Sequence, residues 1–113
     1  MQTAFKEFSI DPAIADNPRL LREVESATRV LERVLGKSAS RVRVGWEPAG
    51  QDSARLRVAD PLANGVVVLP AAELGSEDRL ERRLLSLWSD VLGRRVDALI
   101  EPILHPDGAG AAP

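Results

Sequence analysis

Residues 41–58 alternate apolar and basic side chains, and this pattern constrains the fold more than any other part of the chain. The stretch reads RVRVGW, then the turn-rich segment EPAGQDSA, then RLRV. Because successive side chains of a strand point to opposite faces, we expect a β-hairpin with one apolar and one basic face. The apolar face comprises Val42, Val44, Trp46, Leu56 and Val58, and the basic face comprises Arg41, Arg43, Arg55 and Arg57.

A long amphipathic helix is predicted before this hairpin. Asn17 followed by Pro18 is typical of a helix start, with an N-cap side chain and proline in the first turn. Apolar residues then recur every three or four positions, which favours a helix over 17–35 with one buried face. Gly36 supplies the residue at which such a helix commonly ends. A short helical turn is also expected at Asp11-Pro12.

A second long helix is predicted from Ser76, because Glu77 and Asp78 favour the positive end of a helix dipole. Its buried stripe is expected to contain Leu80, Leu84, Leu87, Trp88, Val91 and Leu92, and Val96, Leu99, Ile100 and Ile103 extend the pattern. Gly93 either ends this helix or is tolerated within it.

Between the hairpin and the second helix, Asn64-Gly65 predicts a tight turn. The strand that follows, residues 66–69, is apolar on both faces, which is typical of a strand in the middle of a sheet or covered on both sides. Residues 3–9 are ambiguous, and whether they form a further strand is left open.

These elements predict an α+β domain built as a two-layer sandwich, in the order α-β-β-β-α. We expect a three-stranded, or with residues 3–9 a four-stranded, antiparallel meander with both long helices on its apolar face. Residues 1–104 are expected to form one domain. Residues 105–113, which contain mostly Gly, Ala and Pro, are expected to form a flexible tail.

Composition limits the classes of function. The net charge is −2, so no general attraction to nucleic acid or anionic membrane is expected. The chain has no cysteine and no apolar run long enough to span a bilayer, which favours a cytoplasmic protein. Thirteen arginines against two lysines suggest a bacterial source.

Catalytic signals are weak. The single histidine, His105, lies at the start of the expected tail, where a preorganised geometry is hard to hold. No phosphate-binding, dinucleotide-binding or zinc-protease motif occurs. We therefore expect no enzyme, no cofactor and no metal site.

The four arginines Arg41, Arg43, Arg55 and Arg57 are the candidate binding residues. Four like charges on neighbouring strands repel each other. This face is therefore either a solvated surface paired with carboxylates or a surface that binds a partner. Depending on its orientation, the third strand adds Val66 and Val68, or Val67 and Leu69, to the same face.

Arginine mixed with aliphatic side chains is typical of protein interfaces. The sequence therefore favours a non-catalytic adaptor or assembly module that binds an acidic protein, or a second copy of itself. Two alternatives stay open. One is an RNA- or DNA-binding domain, because this element order also occurs in double-stranded RNA-binding domains. The other is a small enzyme with an unrecognised pocket.

Overall fold

The computed structural model describes residues 2–104, and the side chains of residues 2–100. It confirms the α+β class. The elements in chain order are β1 (Glu7–Ile10), α1 (Pro12–Ala15), α2 (Pro18–Leu35), a 3-10 helix (Gly36–Arg41), β2 (Arg43–Pro48), β3 (Ala54–Asp60), β4 (Ala63–Leu69), α3 (Ala71–Leu74) and α4 (Glu77–Leu104). The predicted tail, with His105, lies outside the described residues.

The four strands form one mixed sheet in the order β1-β2-β3-β4. β2, β3 and β4 form the expected antiparallel meander. β1 answers the open question about residues 3–9, but it pairs with β2 in parallel, with Phe8 opposite Val44. The sheet is therefore not antiparallel throughout. The reason is that α1 and α2 carry the chain back between β1 and β2, and a helical crossover joins parallel strands.

The predicted N-cap at Asn17 and the predicted helical turn after Asp11 are both present. The Asp11 carboxylate accepts a hydrogen bond of 2.8 Å from the Ala13 N–H, and the side chain of Asn17 accepts one of 3.2 Å from the Leu20 N–H. Gly36 ends α2 with φ of +57°, a conformation that a residue with a Cβ rarely adopts. Local sequence therefore determines where α1 and α2 begin and where α2 ends.

The inner sheet face is buried, as the alternation predicts. Its side chains include Val42, Val44, Trp46, Leu56 and Val58. α2 reaches this face where Thr28 accepts a hydrogen bond of 3.0 Å from the Trp46 indole. α4 reaches it where Leu87 and Val91 lie against Gly65. Trp88 and Leu84 are buried, as expected for the stripe of α4, and Leu31 of α2 is buried with them, whereas Val34 is only partly buried.

The β3–β4 hairpin turns at Pro61 and Leu62, so the prediction of a turn at Asn64-Gly65 is wrong. Asp60 pairs with Ala63, and the Asp60 carboxylate accepts a 3.0 Å hydrogen bond from the Leu62 N–H. Gly65 lies within β4 instead.

The reason for a glycine at position 65 is its close approach to α4. A Cβ there would lie 2.8 Å from Leu87 Cδ1 and 2.9 Å from Val91 Cγ2. Helix and strand therefore approach closely at this point because the strand carries no side chain there.

β4 is an edge strand, and the expectation that its two apolar faces are both covered is wrong. Val66 and Val68 point away from the helices and are 48% and 41% exposed. Two arginines of α4 contact carbonyls of this strand: Arg94 donates to Asn64 at 2.7 Å and Arg83 to Val68 at 3.4 Å. These contacts occupy acceptors that an edge strand would otherwise offer to another chain.

α4 continues through Gly93, but Leu92 is 37% exposed and does not belong to its buried stripe, contrary to the prediction. Val96, Leu99 and Ile100 do not extend the stripe either, and Ile103 lies outside the residues whose side chains are described. Arg94 and Arg95 still contact the β3–β4 hairpin, whereas every residue from 96 to 100 is exposed. The helix therefore extends past the sheet, and the molecule measures 52 Å along its longest axis and 25 Å along the other two.

Candidate interaction surface

The register of the strands builds one continuous surface on the side of the sheet opposite the buried face. We call it the outer sheet face. It comprises Glu7 and Ser9 of β1, Arg43, Gly45 and Glu47 of β2, Arg55 and Arg57 of β3, and Val66 and Val68 of β4. Three of the four predicted arginines lie on it.

Arg41 is the exception, because it ends the 3-10 helix and does not belong to β2. Its Nη2 donates to the Ser38 hydroxyl at 3.1 Å. It still lines a small hollow with Arg43 and Lys6, next to the end of the β2–β3 ladder. The alternation of side chains begins only where the extended backbone begins, so Arg41 lies at the rim of the outer sheet face and not within it.

The arginines of the outer sheet face have carboxylate neighbours. Arg57 Nε lies 2.6 Å from Glu47 Oε1, and Arg55 Nη1 lies 3.5 Å from the same oxygen. Arg43 Nε lies 3.5 Å from Glu7 Oε2. Exposed pairs of this kind contribute about 0 to 1 kcal/mol each, so they orient side chains more than they stabilise the fold.

Glu47 is the central carboxylate of this group. The hydrogen bond from Arg57 lowers the pKa of Glu47 below its ordinary value, and the positive charges of Arg57 and Arg55 act in the same direction. Glu47 therefore stays charged and keeps both guanidinium groups close together. With three arginines and two glutamates, the outer sheet face has an excess of one positive charge.

A shallow groove crosses the outer sheet face at Ser9 and Gly45, which lie side by side on β1 and β2. Its volume is about 550 Å³, and Arg43 and Arg57 are among its lining residues. A Cβ at position 45 would lie 3.4 Å from Ser9 Oγ, so a larger residue there would fill part of the floor. The groove has room for a side chain of a partner between two arginines.

An exposed aliphatic strip lies beside the arginines. Val66 is paired with Arg57 and Val68 with Arg55 across the β3–β4 ladder. Of the two orientations that the sequence allowed, the structure has the one that exposes Val66 and Val68. Arginine and valine are thus direct neighbours, a composition typical of interface centres.

Sequence reasoning missed Glu7, Ser9 and Gly45 as members of this surface. Their inclusion depends on the parallel pairing of β1 with β2, which brings together residues more than thirty positions apart. The only local signal was Gly45 within an otherwise regular strand, since a strand glycine often marks a close approach or a recess.

A second groove, of about 510 Å³, lies between α2 and the start of α4. Two of its arginines are also next to carboxylates: Arg29 lies 2.7 Å from Glu32, and Arg33 lies 3.1 Å from Glu77. Across the part of the chain that the structure describes, no group of three or more His, Cys, Asp or Glu side chains could hold a metal ion.

Comparisons with protein-family models, with curated proteins and with solved structures gave no match for this chain. Within residues 2–104, no helix has both the length and the apolar character needed to cross a bilayer. The function is therefore inferred from the surfaces of the chain itself, among which the outer sheet face combines charge, exposed apolar area and a groove.

Proposed function

We propose that this chain is a non-catalytic adaptor or assembly module, which binds an acidic surface of a partner protein or of a second copy through its outer sheet face. The observation that carries this proposal is the cross-strand pairing of Arg57 with the exposed Val66 and of Arg55 with the exposed Val68. In a two-layer arrangement, with both long helices against the opposite face, this surface is left for a partner.

The arginines differ in how firmly they are held. The contacts of Arg43 and Arg55 with their glutamates are 3.5 Å long, compared with 2.6 Å for Arg57. Arg43 and Arg55 can therefore turn towards carboxylates of a partner at little cost, while Arg57 stays oriented by Glu47. Guanidinium groups pair bidentately with carboxylates, which gives such contacts directional specificity.

The aliphatic strip of Val66 and Val68 adds a hydrophobic contribution to binding that the charged groups do not provide. Removing Val66 and Val68 from water is favourable in proportion to the apolar area covered. The arginines beside them favour partners with acidic groups and disfavour basic ones. The groove at Ser9 and Gly45 then selects a partner that presents a side chain of fitting size.

Nucleic acid fits this surface less well. The excess of one positive charge is small for phosphate binding, which rests on neutralising several phosphates at once. The first turn of α4 carries Glu77 and Asp78, so this helix start would repel a phosphate backbone. A protein partner with acidic groups is the better match.

The experiment that tests the proposal compares two charge-reversed variants as immobilised baits in an extract of the source cells. Arg43→Glu/Arg57→Glu changes the outer sheet face. Arg79→Glu/Arg82→Glu makes the same change in charge on exposed positions of α4 and serves as the control. Circular-dichroism melts check that both variants fold.

We expect the wild type and the α4 variant to capture the same protein, and the outer-face variant to lose it. Partner capture that is equal for both variants would leave the outer sheet face as ordinary solvated surface. Capture of RNA by the wild type, with loss on charge reversal and no protein captured, would favour the nucleic-acid alternative over the proposal.

A further inference from the structure

The outward side of α4 carries a second apolar surface, separate from the outer sheet face. We call it the α4 seam. It comprises Leu85, Leu92, Val96, Leu99 and Ile100, whose exposed fractions lie between 37% and 50%. At 3.6 residues per turn, these residues lie on one side of the helix, about 120° around its axis from the centre of the buried stripe that contains Leu84 and Val91.

Three of the five residues of the α4 seam lie on the part of the helix that extends beyond the sheet. Arg94 and Arg95 contact the β3–β4 hairpin, but Val96, Leu99 and Ile100 are exposed on an extension beyond it. A short helix without tertiary contacts is only marginally stable in water. Covering the seam would therefore stabilise the extension as well as remove apolar surface from water.

Two occupants of the α4 seam are poor fits. Residues 105–113 read HPDGAGAAP and contain no large aliphatic or aromatic side chain that would cover it. The α4 seam contains no arginine that could pair with the acidic partner proposed for the outer sheet face. The positions between its apolar residues include Ser89 and Gly93. An apolar helix of similar length would cover the seam, and the α4 helix of a second copy of this chain is such a helix.

The spacing of the seam fits an antiparallel pair of α4 helices. If two copies are centred midway between Leu92 and Val96, each Leu92 lies opposite the Val96 of the other copy. Leu99 then lies opposite Ser89, so a large side chain meets a small one. A Cβ at Gly93 would meet nothing within 4 Å, so the helix surface there is open to a close neighbour.

We propose that this chain forms a two-fold symmetric dimer through antiparallel pairing of the α4 seam. A two-fold interface is closed, so pairing stops at the dimer and leaves no seam exposed. The outer sheet face does not take part, and the dimer therefore carries two copies of it. Two linked binding faces raise the avidity for a partner with repeated acidic sites.

The mass of this chain in solution tests this proposal. Sedimentation equilibrium of the wild type should give twice the mass of one chain, falling towards one chain on dilution. Leu99→Lys places a charge in the seam and should give a single chain at every concentration. Ala98→Lys adds the same charge at an exposed position off the seam, and it should stay dimeric.

Two results would overturn the proposal. One is a wild type that remains a single chain up to its solubility limit. The other is a dimer that survives Leu99→Lys, especially one that Arg43→Glu/Arg57→Glu dissociates, because the outer sheet face would then be the contact. Arg43→Glu/Arg57→Glu also separates the two proposals, because this variant should lose the partner protein but keep the mass of the dimer.

The direction of pairing is tested with single cysteines, since the natural chain has none. A mixture of Ser89→Cys and Leu99→Cys chains should be joined by a short bismaleimide linker. Leu99→Cys alone should not be, because the two positions 99 of an antiparallel pair are separated by roughly 15 Å along the helix axis. Efficient cross-linking of Leu99→Cys with itself, and none in the mixture, would contradict the antiparallel arrangement.

Discussion

Trp46 and Thr28 join the sheet to α2 through a buried hydrogen bond, in which the indole Nε1 donates to the threonine hydroxyl at 3.0 Å. The Thr28 hydroxyl donates in turn to the Val24 carbonyl at 2.7 Å. Both side chains are almost fully excluded from water. The pair therefore fixes the rotation of α2 against the sheet, because a small turn of the helix would leave a buried N–H without an acceptor.

Replacing Thr28 by valine tests this relationship. Valine has a similar shape but cannot accept a hydrogen bond, so the free energy of unfolding should fall by about 1 to 3 kcal/mol. Urea unfolding followed by tryptophan fluorescence measures the change. In a Trp46→Phe background the same substitution should cost clearly less, because no indole N–H is left unpaired. An equal cost in both backgrounds would show that this bond contributes nothing specific.

Two glycine-to-alanine substitutions should have opposite effects. Gly65→Ala places a Cβ within 3 Å of Leu87 and Val91, and overpacking of this kind should destabilise by about 1 to 3 kcal/mol. Gly93→Ala adds a Cβ in open space within a helix, which should stabilise by about 0.5 to 1 kcal/mol. Thermal melts of both variants measure the two changes in stability. A neutral Gly65→Ala would mean that α4 can move away from β4 without cost.

Asp60 is expected to stabilise the end of the β3–β4 hairpin in two ways. Its buried carboxylate accepts from the Leu62 N–H and lies 3.4 Å from Arg95 Nε. Asp60→Ala removes both contacts and should destabilise by about 2 kcal/mol, a low value for a buried pair because Arg95 is partly solvated. Asp60→Asn can keep the turn bond and should cost less in the same denaturant titration. A larger cost for asparagine than for alanine would contradict this assignment.

The ion pair of Glu47 with Arg57 should depend on pH in a defined direction. Because the folded state lowers the pKa of Glu47, the pair contributes stability above the ordinary pKa of a glutamate and loses it as the pH falls through the lowered value. A carboxyl titration by NMR should show the pKa of Glu47 rising towards its ordinary value in Arg57→Gln. An unchanged titration in that variant would assign the shift to another group.

The parts of the fold that could be predicted from the sequence are those that local sequence patterns determine. The alternation of residues 42–58 predicted the buried face of the hairpin, and Asn17-Pro18 with Gly36 predicted α2, because periodicity and capping act within a few residues. The parallel pairing of β1 and the close approach at Gly65 depend on contacts between distant segments. Neither leaves a local pattern, and Gly65 after asparagine is also typical of a turn.

The candidate surface was predictable to a similar degree. Arg43, Arg55 and Arg57 follow from strand alternation, and the prediction for Arg41 is wrong because Arg41, the first residue of the expected strand, ends a 3-10 helix. The groove at Ser9 and the pairing of Arg43 with Glu7 could not be predicted, since both require the register of β1 against β2. Four residues of the α4 seam, Leu92, Val96, Leu99 and Ile100, were assigned to the buried stripe because periodicity identifies an apolar stripe but not the length of sheet available to cover it.

The most direct test of the central claim is carbene footprinting of the chain alone and with its captured partner bound. Mass spectrometry then reports the labelling of each peptide. We expect the strongest protection on β3 and β4, at Arg55, Arg57, Val66 and Val68, with the groove between α2 and α4 unchanged. Protection confined to the helices, with the outer sheet face labelled as strongly as in the free chain, would contradict the account.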